Sequence, residues 1–234
     1  MGSLFHELLS RPLFNLLIGL YNLIPGQDFG IAILALTAVV RLIMLPLSLR
    51  ASRSQRELAK LNPKLKEVQE KYKNDKQAQA SAQMQLYKEH NINPLAGCLP
   101  LLIQIPIIIA LYRTFLAGFK PESLQMLYSF VQNPGTIHNI FLGFLDLTQK
   151  SPVLAVLAGV FQYFQSRMSV SQMPQSAGKD KMDITGMMST QMLYFFPVMI
   201  IIITWNLPAG LALYWVATTI FSIGEQFYIR RRYA

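Results

Sequence analysis

Acidic residues are scarce in this chain. There are 12 of them against 21 lysines and arginines, and charged residues make up 14% of 234 positions while hydrophobic ones make up 52%. A soluble domain of this length needs more surface charge than that. The single cysteine, Cys98, excludes an internal disulfide and a cysteine-based metal cluster. The three histidines, His6, His90 and His138, lie on separate segments without metal-ligand spacing. No stretch repeats at a fixed period, no low-complexity tract is present, and no glycine-rich phosphate loop occurs. The apolar segments also lack paired aspartates, a Ser–His pair or an HExxH run, so an intramembrane enzyme has no residues to work with. The chain is expected to be no enzyme and to need no cofactor.

What is abundant is apolar sequence in long runs, separated by basic loops. A membrane-spanning helix needs about 20 largely apolar residues. Five stretches qualify, at roughly 29–49, 95–117, 152–168, 187–205 and 208–229. The expected fold class is therefore an all-α membrane protein. Basic residues set its orientation. Residues 50–93 carry ten of them, the loop after the third stretch carries Arg167, Lys179 and Lys181, and the tail carries Arg230, Arg231 and Arg232. The other side holds Arg11, Lys120 and Lys150, with Arg113 near that end of the second stretch. The basic side is expected to be cytoplasmic, with the amino terminus outside and the carboxyl terminus inside.

Residues 1–27 form a separate unit in this reading. Glu7 and Arg11 interrupt the apolar region and no small-residue cleavage site follows, which argues against a signal peptide. Another span would conflict with the charge count. The expectation is an amphipathic helix in the outer interface, with Leu, Phe and Ile in lipid and Glu7, Arg11 and Asn15 facing headgroups. Residues 28–234 then form the five-span core. Within it, residues 52–92 are polar and helix-friendly. Leu58, Leu61, Leu65, Val68 and Tyr72 recur at spacings of three and four. Asn74 and Asp75 supply a turn, and Ala80, Met84 and Tyr87 restart the pattern. This predicts a cytoplasmic helical hairpin, with Pro63 starting or kinking its first helix. Its basic residues suit a solvated face or a docking arm for anionic headgroups, ribosomal RNA or protein. No nucleic-acid recognition module is present. Six of the eleven methionines fall in 168–192, which suggests contact with apolar client helices, ordinary packing being the alternative.

Arg41 lies inside the first apolar stretch, eight residues from its cytoplasmic end at Leu49, or about 12 Å along a helix. Snorkelling covers part of that distance, and a cation left in lipid costs roughly 2.5–3.5 kcal/mol on insertion scales. A salt bridge would remove the cost, but the five stretches hold no aspartate and a single glutamate, Glu225, near the end of the last one. The better reading places Arg41 in a wet cavity among neutral polar groups. Thr37 lies one turn before it, and Gln104, Gln162 and Gln165 lie on other stretches. Gly97, Pro100 and Pro106 would bend the second helix and help to open such a space.

These residues carry a resemblance. "NPLAGCLPLLIQIPIIIALYR" (93–113), "PKLKEVQEKY" (63–72), "NLPAGLALYW" (206–215) and the "VVRLIMLPL" context of Arg41 together resemble the YidC/Oxa/Alb membrane protein insertases. The resemblance covers nearly the whole chain from about residue 28. It implies five transmembrane helices around a hydrophilic groove that is closed outside, with a central arginine. It also implies a substrate-contacting set of Arg41, Thr37, Gln104, Gln162, Gln165 and Trp215. Nascent membrane-protein clients are the implied partners, with membrane lipids and, on the cytoplasmic side, the ribosome, Sec translocon or signal-recognition components. The implied location is the bacterial plasma (inner) membrane. Compared with many members, the chain is expected to be a short form without a large periplasmic domain and without a long basic tail after "RRRYA". It also has Glu225 where many relatives have glutamine. A small transporter or channel is the competing reading, but those often show internal repeats and paired broken helices.

Overall fold

Helix boundaries in this chain follow local chemistry. Gly26 and Gln27 make a tight turn with φ of 80° and 49°. Asp28 follows, and its Oδ1 accepts the Gly30 and Ile31 amide N–H groups at 2.7 and 3.1 Å, an N-cap that starts a helix. The structure, a computed structural model, describes residues 5–90, 99–118, 121–170 and 191–233. Its helices are α1 (Arg11–Leu23), α2 (Phe29–Lys60), α3 (Asn62–Lys71), α4 (Lys76–Glu89), α5 (Leu99–Gly118), α6 (Pro152–Val170), α7 (Phe196–Trp205) and α8 (Ala209–Tyr233). Single π-helical turns at His6–Ser10 and Gln191–Phe195 lead into α1 and α7. A two-stranded antiparallel ribbon, β1 (Ile140–Phe141) with β2 (Leu145–Asp146), is a small addition to the expected all-α architecture.

The aliphatic core sits at the end where α2 begins and α5 ends. Phe14, Leu17, Ile18 and Tyr21 of α1 join Phe29, Ile33 and Leu36 of α2, Leu111 and Phe115 of α5, and Leu211 and Tyr214 of α8. Phe29 stands edge-on to both Tyr21 and Phe115, the favourable aromatic geometry. At the far half of α2 the packing stops: no residue between Ala38 and Arg50 is buried. Helix α8 packs on both α2 and α6, and α6 packs closely on α7. That closeness follows from Ala155, Ala158 and Gly159, which line the buried side of α6 and let backbones approach.

Helix α6 also shows what surrounds the molecule. Val153, Val156, Leu157, Val160 and Phe164 point outward, while Gln162 and Ser166 are buried. Elsewhere Ile105, Ile109, Val198, Ile202 and Ile220 are exposed, and Thr37, Thr204, Thr219 and Ser222 are buried. Large apolar groups outside and polar groups inside invert the pattern of a water-soluble helix.

Two expectations are corrected. Residues 11–23 do form a helix, but Phe14, Leu17 and Ile18 pack on the protein core, not on lipid, and Asn15 is buried instead of facing headgroups. Its Nδ2 donates to the Met126 carbonyl at 3.2 Å and its Oδ1 accepts from the Tyr128 amide, so a loop claims it. The polar hairpin does not begin at residue 52. Helix α2 runs on to Lys60 because nothing in "ASRSQRELAK" stops a helix, and the break comes at Leu61, just before Pro63 in the first turn of α3. Of the expected spans, one described helix, Phe29–Lys60, is by itself long and apolar enough to cross a membrane; Gln104–Phe115 and Gln191–Trp205 form shorter apolar helices. Buried Gln, Ser, Thr and Gly dilute the hydropathy of α6 and α8. Residues 95–98 and 187–190 of two expected spans lie outside the described residues, as do Gly97, the linker 91–94 and most of the methionine-rich 168–192 segment.

Candidate functional site

Four helices bring neutral polar side chains together where the aliphatic core ends. Arg41 comes from α2, and its Nη2 makes a long 3.5 Å contact with Gln104 Oε1 on α5. Gln104 Nε2 donates to the Tyr214 hydroxyl on α8 at 2.9 Å. The next residue on α8, Trp215, turns to the other side and donates its indole N–H to Gln162 Oε1 on α6 at 3.2 Å. Gln162 Nε2 in turn donates to Gln165 Oε1 at 3.0 Å. Consecutive residues of α8 thus serve two partners: Tyr214 ties the arginine side and Trp215 ties the glutamine pair on α6.

Among the described residues, no ion pair joins Arg41 to a carboxylate. Glu225 is engaged elsewhere, accepting a short hydrogen bond from Ser48 Oγ on α2. Its neighbour Gln226 donates to Ser169 Oγ on α6 at 2.9 Å. The pattern of Tyr214 and Trp215 is repeated 11 residues on, three helical turns, or about 16 Å along the same face of α8. Ser222 and Thr219 between the two rungs bond back to their own helix carbonyls, and the buried Thr218 hydroxyl has no partner among the described residues.

Of the expected site residues, Arg41, Gln104, Gln162, Gln165 and Trp215 join these two networks. Thr37 does not: its hydroxyl donates to the Ile33 carbonyl at 2.7 Å, one turn back on its own helix, and it is buried. Tyr214 was not singled out from the sequence. It lies in the quoted "NLPAGLALYW", but a tyrosine in an apolar run reads as core, and half of its role here is core. Chemically the arrangement offers a fixed cation whose counter-groups are neutral amide and phenol dipoles. Glu225 lies within electrostatic reach of that cation but forms no ion pair with it, so the guanidinium keeps donors for an incoming anion.

At the opposite end of the bundle, ties between residues far apart in sequence join the helices to the 126–142 region. Asp28 caps α2 with one carboxylate oxygen and accepts the Leu142 amide N–H at 2.7 Å with the other. The Tyr21 hydroxyl accepts the His138 amide at 2.9 Å. Gly30 is required here, since a Cβ would stand 2.1 Å from the Phe141 ring. In the same loop, Thr148 donates to Asp146 through both its hydroxyl and its amide, and these bonds hold the Asp146 carboxyl below the usual carboxylate range.

Comparison with known proteins places the chain in a family. Residues 19–234 match the family model described as 60Kd inner membrane protein. The chain is 33% identical over 205 residues to a membrane protein insertase YidC of Fusobacterium nucleatum, with 88% of this chain and 87% of that protein aligned. It is 32% identical over 226 residues to the membrane protein insertase YidC of Geobacter sulfurreducens, covering 96% of this chain but 37% of that protein. With the YidC of Francisella tularensis subsp. novicida, identity is 36% over 208 residues, 88% of this chain and 33% of that one. A solved structure described as an active YidC insertase with the first transmembrane domain resolved matches at a TM-score of 0.58 and 26% identity, covering 99% of this chain and 46% of that one. The chain therefore spans about a third of the Geobacter and Francisella relatives, a little under half of the solved structure and most of the Fusobacterium protein. It belongs to the 60Kd inner membrane protein family, in the company of the YidC membrane protein insertases.

Proposed function

We propose that this chain is a membrane protein insertase that works through the space beside Arg41. In this reading α2, α5, α6, α7 with its preceding turn, and α8 cross the bilayer. The α3–α4 pair and the carboxyl terminus lie in the cytoplasm, and the α1 end lies outside. A client must move a short polar segment through hydrocarbon while its apolar segment enters lipid. A groove that reaches partway from the cytoplasm shortens the polar path. Arg41 attracts carboxylates on the moving segment, and Thr37, Gln104, Gln162, Gln165 and Trp215 line or shape the route. Ribosome, Sec components and lipids are the partners that this function calls for.

The observation that carries the reading is the position of Arg41. It sits where buried packing on α2 ends, held by neutral dipoles with no described carboxylate paired to it. A structural arginine in lipid would be expected to be neutralised. Depletion of the protein followed by quantitative proteomics of the membrane fraction tests the function. Selective loss of membrane proteins with short translocated segments is expected; an unchanged membrane proteome would defeat the proposal. A transporter or channel would instead change solute uptake with membrane proteins intact.

A further inference from the structure

A cavity of about 90 Å³ lies at the core-packed end, away from Arg41 and independent of it. It is a half-open pocket bordered by the π-helical turn and the start of α1, the last turns of α5, and Met126, with Phe14 among its walls. Its polar lining is His6, Ser10, Arg11, Arg113 and Thr114. Two guanidinium groups therefore border one small space. Arg11 is partly committed: it pairs with Glu7 at 2.9 Å and donates to the Met126 carbonyl at 3.2 Å. Arg113 is exposed and rests over the Phe5 ring at 5.4 Å, and no described carboxylate pairs with it. The cavity keeps a net positive charge after Glu7 is counted.

The Ser10 hydroxyl adds a separate sign. The residue is 5% exposed and borders the cavity, and its hydroxyl has no hydrogen-bond partner among the described residues. A buried hydroxyl without a partner costs free energy, and proteins rarely keep one without something to satisfy it. Below Arg113, α5 presents Ile105, Ile109 and Tyr112 outward, at helical spacings of four and three. An exposed apolar stripe thus leads up to a largely apolar pocket with two arginines at its border.

We propose that this cavity binds the phosphate of a phospholipid headgroup, with the acyl chains lying along the α5 stripe. Arg113 and Arg11 supply charge-assisted donors, and the Ser10 hydroxyl donates to a phosphate oxygen. Phe14 and the apolar stripe shield the glycerol region. The inference rests on membrane residence alone, so failure of the insertase test leaves this one standing.

The test uses the full chain in detergent, titrated with dioleoylphosphatidylglycerol and followed by native mass spectrometry. A dioleoyl glucolipid, with the same chains and no phosphate, is the comparison. Wild type is expected to retain one phosphatidylglycerol at least about tenfold more tightly than the glucolipid. Arg113→Gln, at an exposed position that tolerates change, is expected to remove most of that preference, and Ser10→Ala part of it. Circular dichroism confirms that each variant is folded. Equal retention of the two lipids by wild type, or an unchanged preference in folded Arg113→Gln, would overturn the proposal. Inorganic phosphate that displaces the lipid at comparable concentration would show a free-anion site and overturn the lipid assignment.

Discussion

Arg41 concentrates the functional question in one side chain. If attraction to client carboxylates drives the work, Arg41→Lys should keep most of the activity, because a cation remains at similar depth. Arg41→Ala should slow insertion of a client with an acidic translocated segment by about tenfold, and Arg41→Glu by more. A pair at 4 Å is worth about 4 kcal/mol at an effective dielectric of 20, and a third of that is a factor of ten. A client with the acids neutralised should be much less affected; equal defects for both would show a structural role instead. Asp28 poses the equivalent test for stability. Asp28→Ala removes the cap of α2 and the Leu142 tie together, and a cap alone is worth about 1 kcal/mol. A loss of about 1–3 kcal/mol is expected in thermal melts, with Asp28→Asn milder because it still caps. At Asp146 the sign follows from its lowered pKa, set first by the Thr148 hydroxyl, then by the Thr148 amide, against a small opposing burial effect. Its contribution is present above the ordinary carboxylate value and fades as pH falls toward the depressed folded one. Thr148→Val should bring the Asp146 titration, read by NMR, back upward.

Helices were legible in the sequence where periodicity or a stop signal was strong. The long apolar start of α2, the α3–α4 pair and α6 appear near their expected places. The extent of α2 was not legible, because "ASRSQRELAK" is equally good as a free hairpin arm or as a continuation. The fate of α1 was not legible either. An amphipathic stripe states that one side wants apolar company and leaves open whether lipid or protein supplies it. Pairing explains the rest: that Gln162 and Gln165 bond to each other and that Trp215 reaches Gln162 requires knowing which helix faces which. The α6–α7 seam offers a direct check of such pairing. A Cβ at Gly159 would stand 2.2 Å from Ile201 Cγ1 and 3.2 Å from the Pro197 carbonyl. Gly159→Val should therefore destabilise by about 1–3 kcal/mol through overpacking. Gly19→Ala in α1 has open space around the new Cβ, so it should be neutral or stabilising by up to about 1 kcal/mol. Melting curves in one detergent compare the two.

Across the whole molecule, stability is distributed unevenly. The α1 end holds nearly all of the large buried side chains, while α4 has no buried residue and α3 only Leu65. Amide hydrogen exchange should therefore be fastest in α3 and α4 and slowest where α1, α2 and α5 meet. Protection in α4 equal to that in α2 would contradict this. The uneven core also sets an order of events in time. The bonds that hold α1 and the start of α2 to the 126–142 region join residues far apart in the chain: Asn15 with Tyr128, Tyr21 with His138, and Asp28 with Leu142, at separations of 113, 117 and 114. A ribosome adding about 5–20 residues per second makes the earlier partner wait roughly 6–23 s for the later one. Through that interval Phe14, Leu17 and Ile18 lack the α5 and loop surfaces they finally meet. Lipid is the shelter at hand in that interval, so the interfacial position expected for residues 1–27 suits the newly made chain and not the folded one, in which Phe14, Leu17 and Ile18 are buried in protein.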